Sequence, residues 1–380
     1  MSEFTLGLEE EYQLLDPEDG SLVSAARSVL RGDWTGELRH ELQESTVEIG
    51  TRVCANSAAL RAEVRRLRFQ AATVAAAQDL VIAAAGVHPY SRWEHHVSSD
   101  QDRYLRITRN YGRIARDEHN FGMHVHIQVP TAYDRTALMT RLRLFLPHLL
   151  ALSCSSPYFE GADTGYASFR TILWRRWPTN GPPPRFANDT EYREFVRVLT
   201  VAGCIDDARD LYWMLRPHPL YPTLEFRVCD VCPSLDDALA IATLTRVLVA
   251  AAAHADLPHH LQTLPDSSAD ALLADDVWRA ARDGLDARLA RPGTPGGACF
   301  VHDELEMLLA HLGPLAADLG EPDLGAAVHR LLDRGNAAHR MREVNLDLQD
   351  LHALARWLAA ETVLGTGADR RTRQRSGSPG

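Results

Sequence analysis

The 380-residue chain contains no lysine: all 40 of its Lys and Arg residues are arginine. This absence excludes a P-loop, because that motif needs a lysine to reach the terminal phosphates of a nucleotide. It also excludes Schiff-base chemistry and the lysine-dependent site of protein kinases. Any phosphate group that this chain binds must therefore be held by arginine, backbone amides or metal ions.

The chain also lacks a net positive charge, and long apolar runs and cysteines are few; each of these limits the function. The formal net charge of -11 argues against general binding to nucleic acid or anionic membranes. No uninterrupted apolar stretch approaches the ~18 residues of a membrane span, and the first residues lack the features of a signal peptide. Six scattered cysteines fit a reducing compartment better than a disulfide framework. We expect a cytoplasmic protein without nucleic-acid or membrane partners.

Alternating polarity predicts four strands, at residues 4–15, 44–53, 122–129 and 223–229. Helical spacing of apolar residues predicts helices at 57–85, 135–152, 190–201, 235–254, 270–289, 303–312, 323–334 and 346–364. Strands scattered among helices without a regular βαβ order favour an α+β fold with a mainly antiparallel sheet. Residues 366–380 are rich in Gly, Arg, Ser and Pro, which predicts a disordered tail.

Pairs of glutamates share a face in the first two predicted strands. Alternation places Glu9 and Glu11 on one face, while Glu10 falls in the apolar row and is interpreted as structural. Glu44 and Glu48 are four residues apart, a spacing that shares a face in a strand or a helix. Paired carboxylates repel each other, and a divalent cation such as Mg²⁺ would relieve that repulsion. A solvated acidic edge remains the alternative for each pair.

The other two predicted strands present histidine and arginine. His124 and His126 share one face of the third strand, a constellation typical of metal or phosphate sites. Glu225 and Arg227 share a face of the fourth, where they form either a surface salt bridge or a metal ligand beside a phosphate-binding arginine. If the four strands belong to one sheet, a single face collects all of these groups.

The predicted strands contain, in order, the motifs GLEEEY (7–12), ELQESTVEIGT (41–51), GMHVHI (122–127) and TLEFRVCD (223–230). Further stretches are YASFR (166–170), WPTNG (177–181) and RGNAAHR (334–340). With these motifs the chain resembles the glutamate–cysteine ligase type 2 family, in its YbdK-like carboxylate–amine ligase branch, from about residue 4 to 364. The resemblance implies a glutamine-synthetase-like fold, in which a curved antiparallel sheet forms a funnel with helices packed outside. It also implies one catalytic domain over residues 1–365, and a homodimer.

The resemblance further implies ATP and Mg²⁺ or Mn²⁺ as cofactors, and a role for each site residue. One metal ion would bridge the ATP phosphates, held by Glu9, His124 and Glu225. Another would lie nearer the acyl acceptor, held by Glu11, Glu44 and Glu48. His126 and Arg227 would face the nucleotide phosphates, and Arg170 and Arg216 would contact a substrate carboxylate or phosphate.

The implied activity is that of an ATP-dependent carboxylate–amine ligase, which forms an amide through an acyl phosphate from small-molecule substrates such as amino acids. Glutamate–cysteine ligase activity is the reference reaction. Residues 177–186, which include Arg185 and follow Arg175 and Arg176, are expected to form a mobile cover, with a rigid surface loop as the alternative. Two other functions stay open: a zinc-dependent hydrolase that uses His124 and His126, and a non-catalytic nucleotide-binding relative.

Overall fold

The computed structural model describes residues 3–92, 94, 97–254, 257 and 259–368. Its strands are β1 (Leu6–Leu15), β2 (Leu38–His40), β3 (Thr46–Gly50), β4 (Val81–Ala83), β5 (Gly122–Gln128), β6 (Tyr158–Phe159), β7 (Ala162–Asp163), β8 (Leu215–Pro217), β9 (Thr223–Asp230), β10 (Arg288–Ala290) and β11 (Ala298–Phe300). Seven of them form an antiparallel sheet in the order β2-β3-β1-β5-β9-β8, with β4 paired to β1. β6 with β7, and β10 with β11, form two small ribbons.

The helices lie mainly between and after these strands. They are α1 (Ala26–Gly32), α2 (Ser57–Ala76), α3 (Asp102–Tyr111), α4 (Arg113–Arg116), α5 (Arg135–Leu142), α6 (Leu146–Ser153), α7 (Phe169–Trp174), α8 (Asp189–Val201), α9 (Leu235–Ala253), α10 (Asp266–Asp283), α11 (Val301–Asp318), α12 (Leu324–Arg334), α13 (Ala337–Leu348) and α14 (Leu351–Val363). The predicted α+β class with an antiparallel sheet is confirmed.

Strand alternation gives the sheet one apolar face. Leu6, Leu8, Tyr12 and Leu14 of β1 are all buried, and the face that they share packs against helices. Helix α9 contacts β1 and β5 and is itself surrounded by α2, α5, α6, α11 and α12. Almost every residue of α9 is buried, as expected for a helix that is apolar on all sides. The opposite face of the sheet is thereby left to polar side chains.

An ion pair lies inside the apolar layer. Arg68 of α2 and Glu10 of β1 are both fully buried, with Arg68 Nη2 2.5 Å and Nε 2.9 Å from the carboxylate oxygens. The guanidinium also donates to the carbonyl oxygens of Cys232 (2.9 Å) and Pro233 (2.7 Å), and the Tyr12 hydroxyl donates to Glu10. Glu10 therefore ties β1 to α2 and to the start of α9, in the structural role that the sequence predicts.

Two of the predicted helices are wrong in extent: one ends earlier than predicted, and the other is interrupted near its start. The helix predicted at 57–85 ends at Ala76, because the chain turns at Asp79 (φ 57°) and then enters β4. The helix predicted at 346–364 is two helices, since Gln349 adopts a left-handed conformation (φ 47°) between α13 and α14. Left-handed non-glycine residues are uncommon, so the sequence pattern carries little warning of such breaks.

Other predicted boundaries also change. The helix predicted at 135–152 divides into α5 and α6 around a short 3₁₀ turn, Arg143–Phe145, with Pro147 in the first turn of α6. The helix predicted at 270–289 spans Asp266–Asp283 and is followed by β10, because Gly284 (φ 58°) redirects the chain. The helix predicted at 303–312 continues through Pro314 to Asp318.

No helix among the described residues combines the length and the apolar character that crossing a bilayer requires. Buried hydrophobic residues form one cluster that runs from Phe4 to Ala359. The single domain over residues 1–365 stays a prediction, and most of the predicted tail, residues 369–380, lies outside the described residues.

Candidate active site

The polar face of the sheet aligns side chains from four separate segments of sequence. Across β1 and its neighbours, Glu9 is opposite His124 and Glu11 is opposite Glu48. On the next strand pair, His126 is opposite Glu225. The sheet register therefore brings together residues that are more than 200 positions apart in the chain, as the alternating patterns predict.

Glu9, His124 and Glu225 form the first metal-competent group, with ligand atoms within 4.8 Å of one another. Glu9 Oε2 lies 3.2 Å from His124 Nδ1 and 3.4 Å from His126 Nε2. Burial alone would raise the pKa of Glu9, but hydrogen bonds from His124 and His126 outweigh it and hold that pKa well below its usual value. Burial and the nearby Arg227 cation lower the pKa of His124 to about 4, so the ring is neutral and able to bind a metal.

Glu11, Glu48 and again His124 form the second group, also within 4.8 Å. Burial, together with the charge of Glu41, raises the pKa of Glu11 to about 8. Burial and the charges of neighbouring glutamates raise the pKa of Glu48 well above its usual value. Several carboxyl groups thus crowd one buried spot, and the nearby cations among the described residues, Arg39, Arg170 and Arg227, do not offset the cost of burying them. A bound divalent cation would remove this penalty.

Glu41 and Glu44 both lie outside the two metal-competent groups, but Glu41 is the one beside the second group. The strand predicted from residue 44 begins only at Thr46, so Glu44 lies in a turn where strand alternation does not apply. Its carboxylate accepts a hydrogen bond from the Arg27 backbone N–H (2.9 Å) at the start of α1 and joins neither group. Glu41, interpreted as a bystander in the sequence, shares a hydrogen bond with Glu48, and burial raises its pKa. The sequence interpretation did not place Glu41 beside Glu11 and Glu48, where its charge also raises their pKa values.

Two arginines hold Glu225 in place. Arg216 Nε and Nη2 lie 2.7 and 3.2 Å from the Glu225 carboxylate, and Arg216 Nη1 donates to the carbonyl oxygens of Arg209 and Leu211 (2.9 and 3.0 Å). Arg227 Nη1 also pairs with Glu225. Burial would raise the pKa of Glu225, but the two cations keep it well below its usual value. Arg216 is therefore fully engaged in positioning Glu225, whereas Arg227 keeps a buried Nε without a partner among the described residues.

Arg170 reaches the site from α7 and is only 2% exposed. Its guanidinium lies over the Trp174 ring (4.8 Å), donates to the Arg227 carbonyl oxygen (3.3 Å) and lies 3.8 Å from Asp230. It also crosses directly above Gly122, where a Cβ atom would stand 2.4 Å from Arg170 Nη2. Glycine at this position is therefore what lets the guanidinium approach the strand.

Residues 177–186, predicted as a mobile cover, lie packed against residues 210–214. Thr179 Oγ1 donates to the Asp210 carbonyl oxygen (2.8 Å), and Asn180 Nδ2 donates to that of Tyr212 (3.0 Å). Trp177 and Phe186 at the two ends are both 5% exposed. These contacts favour the alternative of a rigid loop.

The model of the glutamate–cysteine ligase family 2 (GCS2) matches residues 5–356. A Roseiflexus castenholzii protein provisionally named glutamate–cysteine ligase 2 is 36% identical over 372 residues, 95% of this chain and 95% of the relative. A Herpetosiphon aurantiacus protein with the same provisional name is 35% identical over 377 residues, 98% of this chain and 97% of the relative. These matches place the chain among ATP-dependent ligases that form carbon–nitrogen bonds. It belongs to the glutamate–cysteine ligase family 2.

Solved structures with the same fold include a glutamate–cysteine ligase from Francisella tularensis in complex with AMP. It has a TM-score of 0.72 and 11% identity, and the alignment covers 99% of this chain and 93% of that one. A bifunctional glutathione synthetase from Pasteurella multocida has a TM-score of 0.70 and 17% identity over 96% of this chain. This chain spans about half (52%) of the Pasteurella protein. The likeness confirms the expected fold, and the relatives support neither the zinc hydrolase nor the non-catalytic alternative.

Proposed function

We propose that this ligase uses ATP to activate the carboxyl group of an amino acid as an acyl phosphate, which a second small molecule then attacks through its amine. Glutamate and cysteine are the first pair to test, because the relatives carry those substrates in their name. The observation that supports the proposal best is the pair of metal-competent groups that share His124 on one sheet face. The proposal includes a cytoplasmic homodimer built from one catalytic domain.

The donors present fit Mg²⁺ or Mn²⁺. Glu9, His124 and Glu225 would hold one ion, and Glu11, Glu48 and His124 border the place of another, with Glu41 beside it. Carboxylate oxygens predominate, and such donors favour Mg²⁺ or Mn²⁺ over zinc. When bound, these ions would neutralise charge on the transferring phosphoryl group.

The arginines and His126 would bind and orient the anionic substrates. The Nε atoms of Arg170 and Arg227 are buried and have no hydrogen-bond partner among the described residues. Buried guanidinium donors without partners are costly, and a phosphate or carboxylate group would satisfy them. His126, which faces both Glu9 and Glu225, lies where it can donate to a phosphate at the first group. Arg216 acts indirectly, by fixing the Glu225 carboxylate.

The reaction class can be tested by amine-dependent ADP release. Purified protein with Mg²⁺ and ATP is supplied with glutamate and cysteine, then with other amino-acid and amine pairs, and the product is identified by mass spectrometry. We expect ADP, phosphate and an amide in equal amounts. Amine-independent hydrolysis of substrate with tightly bound zinc would contradict the proposal.

Glu41 and Glu44 provide a matched pair of variants for the second metal group. We expect Glu41→Gln, like Glu11→Gln, to lower kcat roughly 100-fold or more and to raise the Mg²⁺ concentration needed for half-maximal rate. Glu44→Gln makes the same chemical change only three residues away, but outside the groups, and should stay within about threefold of the parent rate. The reverse result would show that the residues bordering this metal have been assigned wrongly.

A further inference from the structure

The turn between β8 and β9 projects from the edge of the site. The turn comprises His218, Pro219, Leu220, Tyr221 and Pro222, and Glu225 lies four residues after Tyr221 on β9. Leu220 is 74% exposed and Tyr221 is 57% exposed. The two metal-competent groups and the contacts of Arg170, Arg216 and Arg227 described above do not involve Leu220 or Tyr221, so they do not explain why these large side chains are exposed.

The turn is held rigidly by its own hydrogen bonds and by α5. Arg135 Nη1 donates to the carbonyl oxygens of His218 (3.2 Å), Tyr221 (2.8 Å) and Thr223 (3.2 Å). His218 Nδ1 accepts hydrogen bonds from the backbone N–H groups of Leu220 (3.2 Å) and Tyr221 (3.0 Å). The exposed aromatic ring is therefore carried on an ordered support, which lowers the entropic cost of binding a ligand against it.

The rings form a continuous path from the first metal group to the solvent. The rings of His126 and His218 are in edge-to-face contact, with centroids 5.4 Å apart and planes at 66°. His218 and Tyr221 are stacked, with centroids 4.7 Å apart and planes at 12°. Because Tyr221 stacks on His218 and is still more than half exposed, part of its ring is available to a planar ligand.

We infer that His218 and Tyr221 form the subsite for the purine base of ATP, with Tyr221 as the stacking surface. The phosphates would lie at Glu225, Arg227 and His126, so the base must extend away from the metal groups. The stacked pair lies just beyond His126 and offers the flat, polarisable surface that bases prefer. This inference rests on the proposed use of ATP, and it identifies residues that the family motifs quoted above do not include.

Titration calorimetry with two probes tests the subsite. ATP and inorganic tripolyphosphate are titrated, each with Mg²⁺, into the full-length chain and into Tyr221→Ala, Tyr221→Phe and Leu220→Ala. Stacking on one aromatic ring predicts that Tyr221→Ala binds ATP roughly 5- to 100-fold more weakly. Its affinity for tripolyphosphate should not change, because that probe has no base. Tyr221→Phe keeps the ring and Leu220→Ala changes only the neighbouring exposed side chain, so both should bind ATP like the parent.

Each other outcome has a distinct meaning. If the parent protein does not bind ATP, the proposed function and the subsite both fail. If the parent binds ATP and Tyr221→Ala binds it equally well, or loses tripolyphosphate by the same factor, only the base subsite is overturned. A change of oligomeric state in Tyr221→Ala, measured by light scattering, with unchanged ATP affinity would assign the exposed turn to self-association instead.

Discussion

The close approach of Arg170 to Gly122 can be tested by adding one methyl group. In Gly122→Ala the new Cβ would stand 2.4 Å from Arg170 Nη2, 3.1 Å from its Cζ and 3.3 Å from His124 Nε2. The strand cannot move away easily, since the Gly122 N–H donates to Glu11 Oε2 (2.6 Å). The guanidinium would have to leave its place over Trp174, where it is buried.

The expected cost has two parts. Forcing an extra methyl group into a packed interior destabilises a protein by about 1–3 kcal/mol. The displaced guanidinium would also lose its position near Glu11, where its charge favours the carboxylate form. If 1–3 kcal/mol of this loss falls on the transition state, kcat/KM decreases roughly 5- to 150-fold.

A second glycine of the same sheet provides the control. Gly7 of β1 lies opposite His126 of β5. A Cβ atom at Gly7 would be 3.5 Å from Thr51 Oγ1 and 4.0 Å from His126 Cβ, which are ordinary van der Waals distances. Gly7→Ala should therefore keep its thermal midpoint and its rate of ADP release. If Gly122→Ala is as active and as stable as Gly7→Ala, Arg170 is not confined as the structure describes, and the reasoning is refuted.

Two further predictions concern stability. Arg68→Met should lower the free energy of unfolding by about 3–5 kcal/mol, because it leaves the buried Glu10 carboxylate without its cation. The control, Arg61→Met on the same helix, removes only an exposed ion pair with Asp236 and should cost less than about 1 kcal/mol. Similar shifts of the denaturation midpoint for both variants would contradict this. Burial raises the pKa of Asp276 from 3.8 to about 6, so the unfolded chain loses this proton first and stability falls as pH rises between about 4 and 6. In Asp276→Asn the side chain can still accept the hydrogen bond from the Ala290 N–H (2.6 Å). This variant should be about 1–3 kcal/mol more stable than the parent above pH 6 and similar to it at low pH. A difference in thermal midpoint that does not grow with pH would refute this.

Strand alternation made much of the site readable in advance. A period of two fixes the face of each side chain, so Glu9 with Glu11, and His124 with His126, could be paired from sequence alone. The same rule failed at Glu44, because the true start of β3 depends on a turn that docks against α1. Glu41 precedes that turn, and no local pattern shows that its side chain folds back toward Glu48.

The helices show a similar limit. An Ala-rich run such as 57–85 has the same apolar character in a helix and in a buried strand, so the end of α2 and the start of β4 could not be separated by periodicity. The hydrogen bonds of Arg216 could not be predicted from the sequence either, because two of its acceptors are the backbone carbonyl oxygens of Arg209 and Leu211, which any residue would supply. Tertiary contacts, not composition, decide these features.

Apart from histidine, the basic side chains of the site are all arginines, because the chain has no lysine. In the proposed reaction an acyl phosphate would form within reach of Arg170 and Arg227. Such a mixed anhydride acylates an accessible primary amine and releases phosphate. A lysine in the same place would compete with the acceptor substrate and would become covalently modified in the process. A guanidinium stays protonated at physiological pH and is not a nucleophile, so it can stabilise the activated carboxyl group without reacting covalently with it. In this chain, no side chain carries a primary amine that could intercept the intermediate before the second substrate arrives.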